Sequence, residues 1–339
     1  MRRGLTPALR ALVLAGAVVL IAVLPRFTNE FRLGQFTYVG IYFIALLGLN
    51  ILTGYNGQIT LGHAAFMAIG GYTAALLILG QSGFELLGQQ ASHVLPQHGM
   101  RAIFTIPIAG LVTGVIGCLF GIPALRLAGV SLALATLAVS VSLPALAKRF
   151  EHLTGGGGGL SLPLPQAPFG WHVSTPHWLF YEAWVCAGIL FVVAWMLVRG
   201  RVGRAWRAIR DGEVAAVSSG VSPAVYKTLA FGISAAYAGV AGSLFVLATN
   251  GFAAPDEFGV VLSLQLLIGA AVAGLGSLWG ILAGAAFVGL LPTVSSSVPV
   301  IGSSHGRDVV FGAAVILVML LLPDGFGGLL ARVRRLARG

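Results

Sequence analysis

The chain has 339 residues, of which 57% are hydrophobic and only 9% charged, and its mean hydropathy is +0.94. A soluble domain carries about 25% charged residues, so an ordinary soluble enzyme, a disordered chain and a disulfide scaffold are excluded, leaving an integral membrane protein with several spans. The net charge of +10 need not mean nucleic acid, because basic residues equally mark cytoplasmic loops, and no nucleic-acid partner is expected.

Gaps between charged residues draw the map. Residues 33–84 and 258–306 contain no Asp, Glu, Lys or Arg, runs of 52 and 49 residues. A helical span needs roughly 20 residues, so each run suits two helices joined by a tight turn. The expected spans are 8–25, 36–52, 60–80, 102–121, 128–147, 178–198, 228–249, 260–275, 278–295 and 308–322. The fold class is therefore all-α and polytopic, with about ten transmembrane helices (eight to ten) and Gly-rich interrupted or re-entrant segments. Glycine, at 48 residues, has roughly twice its usual share and reads as close helix packing and broken helices. The first span ends in Leu24-Pro25-Arg26 without a small-x-small cleavage site and is read as retained rather than as a signal peptide.

Orientation follows from the basic residues. With both termini inside, the cytoplasmic loops and adjoining span ends hold 14 of the 20, and the outer loops and adjoining span ends hold seven of the ten acids. The chain reads as one transmembrane domain, 1–339, with a cytoplasmic loop at 199–227 and a basic cytoplasmic tail at 324–339. No charged residue is expected deep in a span, with Glu182 near an end, which argues against a proton symporter. Cys118 and Cys186 lie in apolar segments without a CxxC pair, and His93, His98, His152, His172, His177 and His305 fall in outer loops without ligand spacing, so no metal site is expected.

Four stretches carry more information. The segment around Thr53, Gly54, Asn56, Gly57, Gln58, Thr60, Gly62 and His63 puts polar residues and glycines inside a charge-free run. Lipid cannot satisfy an irregular backbone, so this is either an interrupted helix facing a solute path or a short turn with His63 packed between helices. Residues 153–170 form an outer loop with a glycine tract; no strand precedes it, so it is not a phosphate-binding loop, and it is either a flexible connector or an outer contact site. In 199–227, Arg204, Arg207 and Arg210 recur every three residues on one helix face, and Glu213 can start a second short helix kept slim by Ala215, Ala216 and Gly220. This is either a helix that enters a groove on a partner or a solvated anchor loop. Residues 269–284 carry small residues at intervals suited to tight helix crossing, with a second broken segment as the alternative.

The residues Thr-Gly-Tyr-Asn-Gly-Gln-Ile-Thr-Leu-Gly-His-Ala-Ala-Phe from Thr53 to Phe66 resemble the hallmark of the LivM-type permease subunits of bacterial branched-chain amino-acid ABC transporters. Further matches follow in order at 70–75, 125–130, 133–137, 153–156, 159–160, 203–211, 274–280 and 322–325, covering nearly the whole chain. The resemblance implies a multi-pass protein of the bacterial inner membrane, a permease subunit and not an enzyme. It implies a LivH-like second permease, two cytoplasmic ABC ATPases that hold ATP and Mg, and an extracytoplasmic solute-binding protein, with no cofactor on this chain. The chain itself has no P-loop, since Lys148 follows Ala147 and Lys227 follows Tyr226. The implied cargo is a branched-chain amino acid or a related small amide such as urea. The resemblance also assigns ATPase coupling to Gly203, Arg204, Arg207, Arg210, Glu213, Ala215, Ala216 and Gly220. A substrate path is expected at 53–63, with Gln58, Thr60 and His63 facing polar space, and an outer loop near the solute-binding protein at Thr154, Gly155, Gly156 and Gly159. A self-sufficient carrier or channel for a small neutral solute is the alternative function.

Overall fold

The computed structural model describes residues 21, 24–86, 99–127, 129–163, 174–296 and short stretches between 312 and 328. Helix α1, Glu30–Leu49, continues as a widened turn over Asn50–Tyr55; α2 is His63–Leu86, bent at Gly80; α3 is Ala102–Ala124 and α4 Val130–Arg149. Helix α5, Thr175–Arg199, leads into the two short helices α6, Arg201–Asp211, and α7, Glu213–Ser218. Then come α8, Pro223–Ala248, α9, Val260–Ala273, and α10, Ile281–Ser296. Seven helices among the described residues are long and apolar enough to cross a membrane, and Ile281–Leu290 adds a shorter apolar one. The protein is thus an all-α, multi-pass membrane protein. Of the expected spans, 36–52 through 278–295 each meet a helix. The span at 8–25 lies outside the described residues but for its last two and position 21, that at 308–322 is described only in fragments, and most of the tail lies outside them.

Local chemistry sets the element ends. Pro176 and Pro223 stand in the first turns of α5 and α8, where a missing N–H costs nothing. Pro107, Pro123 and Pro144 are carried inside α3 and α4, as membrane helices tolerate. Helix α9 stops at Gly274, whose φ of +86° lies in the left-handed region that glycine alone adopts freely.

Helices α1, α2 and α8 form the buried centre, and α4 and α5 show most of their surface outward. Lipid provides no hydrophobic drive between helices, so close approach through small residues holds the centre. A side chain at Gly70 of α2 would strike the backbone of Gly239 in α8, and one at Gly242 would strike the Met67 carbonyl. Both readings of 269–284 are met: Gly284 of α10 rests on the Gly269 carbonyl of α9, and between the two helices the backbone breaks at Gly274 and Gly276, with φ of +86° and +81°. Glu182, expected near a span end, is the eighth residue of α5 and lies buried, 5% exposed, next to Trp178 on the same helix.

The expected inside and outside turns separate to opposite ends. At one end, Arg210 Nη1 donates to the Gly54 carbonyl at 2.6 Å and the Gly276 N–H donates to Asn50 Oδ1 at 2.8 Å. At the other, β1, Leu160–Ser161, pairs antiparallel with β2, Phe252–Ala253, and Lys148 bridges Asp256 at 2.7 Å.

Candidate functional site: a broken helix and a cytoplasmic loop

Between α1 and α2 the backbone leaves helical geometry, with Gly57 at φ +79°. The free N–H and C=O groups of such a break must find partners inside the bilayer. They find hydroxyls. The Leu61 N–H donates to Thr136 Oγ1 at 2.9 Å, and the Leu61 carbonyl accepts from Ser140 Oγ at 2.8 Å. Ala64 N–H donates to Ser263 Oγ at 3.1 Å, which lies 3.0 Å from Ser140 Oγ, so α4 and α9 jointly hold the start of α2.

The polar residues named from the sequence occupy the same knot. Thr53 Oγ1 donates to the Gln58 carbonyl at 3.1 Å, Asn56 Nδ2 to Gln58 Oε1 at 2.7 Å, and the Gly62 N–H to Thr60 Oγ1 at 3.1 Å. His63 Nε2 meets the Ala45 carbonyl at 2.9 Å. Thr53, Asn56, Gln58, Thr60 and His63 are all buried in this conformation, and Gly57 and Ile59 form the exposed edge of the segment. Asn50, Thr136, Ser140 and Ser263 belong to the site and were not named as site residues from the sequence. Each is one of a few polar side chains in an apolar helix, alongside Ser131, Ser142 and Gln265, and Thr136 falls within the 133–137 match.

The loop of α6 and α7 projects from the same end as Gly54. The apolar face of α6 is anchored: Trp206 is fully buried, with Nε1 donating to the Tyr226 carbonyl at 2.9 Å, and Gly203 packs on the Val198 backbone. The three arginines do not act alike. Arg204 and Arg210 are exposed and Arg207 is half-buried, but Arg210 reaches back to the Gly54 carbonyl, with its Nε also paired to Asp211 Oδ1 at 3.3 Å. Glu213 accepts from Lys227 Nζ at 2.7 Å within the chain. Ala216 is buried against the protein's own body, Ala215 is exposed, and Gly220, at φ +80°, has open space around it. Val214, 83% exposed, and Val217, 54% exposed, form an apolar face on α7 that sequence reasoning did not single out.

At the opposite end the glycine tract is a closed turn. Thr154 Oγ1 donates to the Phe150 carbonyl at 2.9 Å, Gly155, Gly156 and Gly159 take positive φ, and Gly159 lies against the Ala253 backbone. No cluster of three or more His, Cys, Asp or Glu that could hold a metal occurs among the described residues.

Comparison with known proteins agrees with this architecture. The family model described as "Branched-chain amino acid transport system / permease component" matches residues 32–321. The chain is 32% identical to the high-affinity branched-chain amino acid transport system permease protein LivM of Escherichia coli K12, over 93% of this chain and 74% of that protein. The corresponding LivM of Salmonella typhimurium is 31% identical over the same shares, and LivH of that organism is 24% identical over 85% of this chain and 91% of its own length. No solved structure gives a significant match. With a family model covering most of the chain and a helical membrane bundle to match it, the chain belongs to the family of permease components of branched-chain amino acid transport systems, and it is a transporter subunit rather than an enzyme.

Proposed function

We propose that this permease subunit forms part of the path of an ABC importer for branched-chain amino acids or related small neutral amino acids and amides. Its partners are a LivH-like second permease, two cytoplasmic ATPases that bind and hydrolyse ATP with Mg, and an extracytoplasmic solute-binding protein. One observation carries this reading. Helix α7 is braced by the Glu213–Lys227 pair and seated through Ala216, and it holds Val214 and Val217 outward at the end where the basic loop lies. An exposed apolar face on a short cytoplasmic helix suits insertion into a groove on a partner. The 53–63 segment is proposed to line the path, the exposed edge at Gly57 and Ile59 meeting the solute in this conformation. The 53–63 segment itself carries no charged side chain, which suits a zwitterion or an amide handled by backbone dipoles.

The test is a Val214→Asp, Val217→Asp double variant coexpressed with the partner subunits. It is expected to insert normally and to lose copurifying ATPase. Retention of the ATPase at the wild-type level would refute the docking role of α7.

A further inference from the structure

Arg210 stands where three structures meet. It is in the last turn of α6, two residues before Gly212 and three before Glu213, the first residue of α7. Its aliphatic stem lies on Gly57, where an added Cβ would come within 2.7 Å of Arg210 Cγ. Its Nη1 donates to the Gly54 carbonyl at 2.6 Å, in the final widened turn of the broken helix. Carbonyls of a final turn have no intrahelical donor and form the negative end of the helix dipole, so a guanidinium there makes a charge-assisted hydrogen bond. The second break is at the same point. A Cβ on Gly276 would lie 3.5 Å from Arg210 Nη1 and 3.5 Å from the Gly54 carbonyl oxygen, and the Gly276 N–H is held by Asn50 Oδ1. Gly54 permits this approach because any side chain there would strike Asn50 and Gly276.

We infer that Arg210 is the positioning residue through which movement of the α6–α7 loop reaches both interrupted helices, clasping Gly54 and the 274–276 turn to the cytoplasmic loop. The inference rests on the proposed docking of the ATPase on α7. The buried Trp206 anchors one part of α6, so a displacement of α7 at the Gly212 junction falls on the far end of α6, where Arg210 sits. Among the described residues, Arg210 alone of the three donates a hydrogen bond to the broken helix, whereas Arg207 reaches Tyr55 only through its charge.

The experiment uses the full transporter in proteoliposomes with its solute-binding protein, carrying Arg210→Gln or Arg210→Lys. Copurifying ATPase, ATP hydrolysis and substrate uptake per ATP are measured together. Arg210→Gln is expected to keep the ATPase bound and hydrolysis within about twofold, while uptake per ATP falls about tenfold, the factor set by one charge-assisted hydrogen bond. Arg210→Lys, which keeps a charged donor of similar reach, is expected to recover part of the loss. A purely packing role would not separate uptake from hydrolysis, nor respond to restored charge. Wild-type uptake per ATP in Arg210→Gln overturns the inference. Loss of the ATPase in that variant overturns it too, by assigning Arg210 to the docking surface. Failure of both variants to accumulate as folded protein makes the contact a folding element and overturns the inference as well. The docking reading fails separately, through the Val214 and Val217 variant.

Discussion

Replacing Thr136 with valine probes how the break between α1 and α2 is kept stable. Valine has the shape of threonine, so packing on Gly62, whose added Cβ would lie 3.1 Å from Thr136 Cβ, is preserved. What disappears is the acceptor of the Leu61 N–H at 2.9 Å. That N–H belongs to a non-helical segment and cannot turn to a carbonyl of its own helix. An orphaned buried donor costs about 1–3 kcal/mol in soluble proteins. Hydrogen bonds between membrane helices average about 0.6 kcal/mol and reach about 1.7, because the unfolded chain in the bilayer also finds partners. The expected loss is therefore about 1–2 kcal/mol, a factor of roughly 5–30 in the folding equilibrium. Reversible unfolding in mixed micelles titrated with SDS measures it, with Ser131→Ala, exposed on the same helix, as the control expected to stay within about 0.5 kcal/mol. A Thr136→Val protein as stable as the control would refute the claim that this hydroxyl holds the break. Ser140 and Ser263 extend the test: their hydroxyls lie 3.0 Å apart, so alanine at both is expected to be non-additive by at least about 0.5 kcal/mol.

Two further predictions concern the path and the core. Cysteines placed singly over 56–63 in the assembled transporter are expected to react with a water-soluble thiol reagent at Ile59 at rest, and at Gln58 and Thr60 only during turnover; uniform protection across the segment removes it from the path. Gly70→Leu is expected to abolish stable protein, because its side chain would enter the Gly239 backbone, while Gly188→Leu, with no atom within 4 Å, leaves accumulation unchanged. Equal accumulation of the two would contradict the close crossing of α2 and α8.

The sequence by itself determined the class of the protein, the placement of the spans between 36 and 295 and the place of the break. All three rest on a local cost: charges and unpaired backbone are expensive in hydrocarbon, so the charge-free runs and the glycines of 53–62 can be read one segment at a time. The family motifs were legible for the same reason, being short and contiguous. Only the tertiary structure decided what each polar or apolar side chain faces. The partners of the break, Thr136 and Ser263, stand 75 and 199 positions from the backbone groups they hold. Helical periodicity put Arg204, Arg207 and Arg210 on one face, but a face has no direction until neighbouring helices are in place. Arg210 then reached back to Gly54 while staying partly exposed, Ala216 packed on its own protein, and Val214 was left outside. Glu182 went the same way: its distance from a span end was an estimate along the sequence, and burial beside α1 depends on how α5 leans against that helix. Spacing along a chain specifies which side chains travel together, and packing between remote segments specifies what they meet.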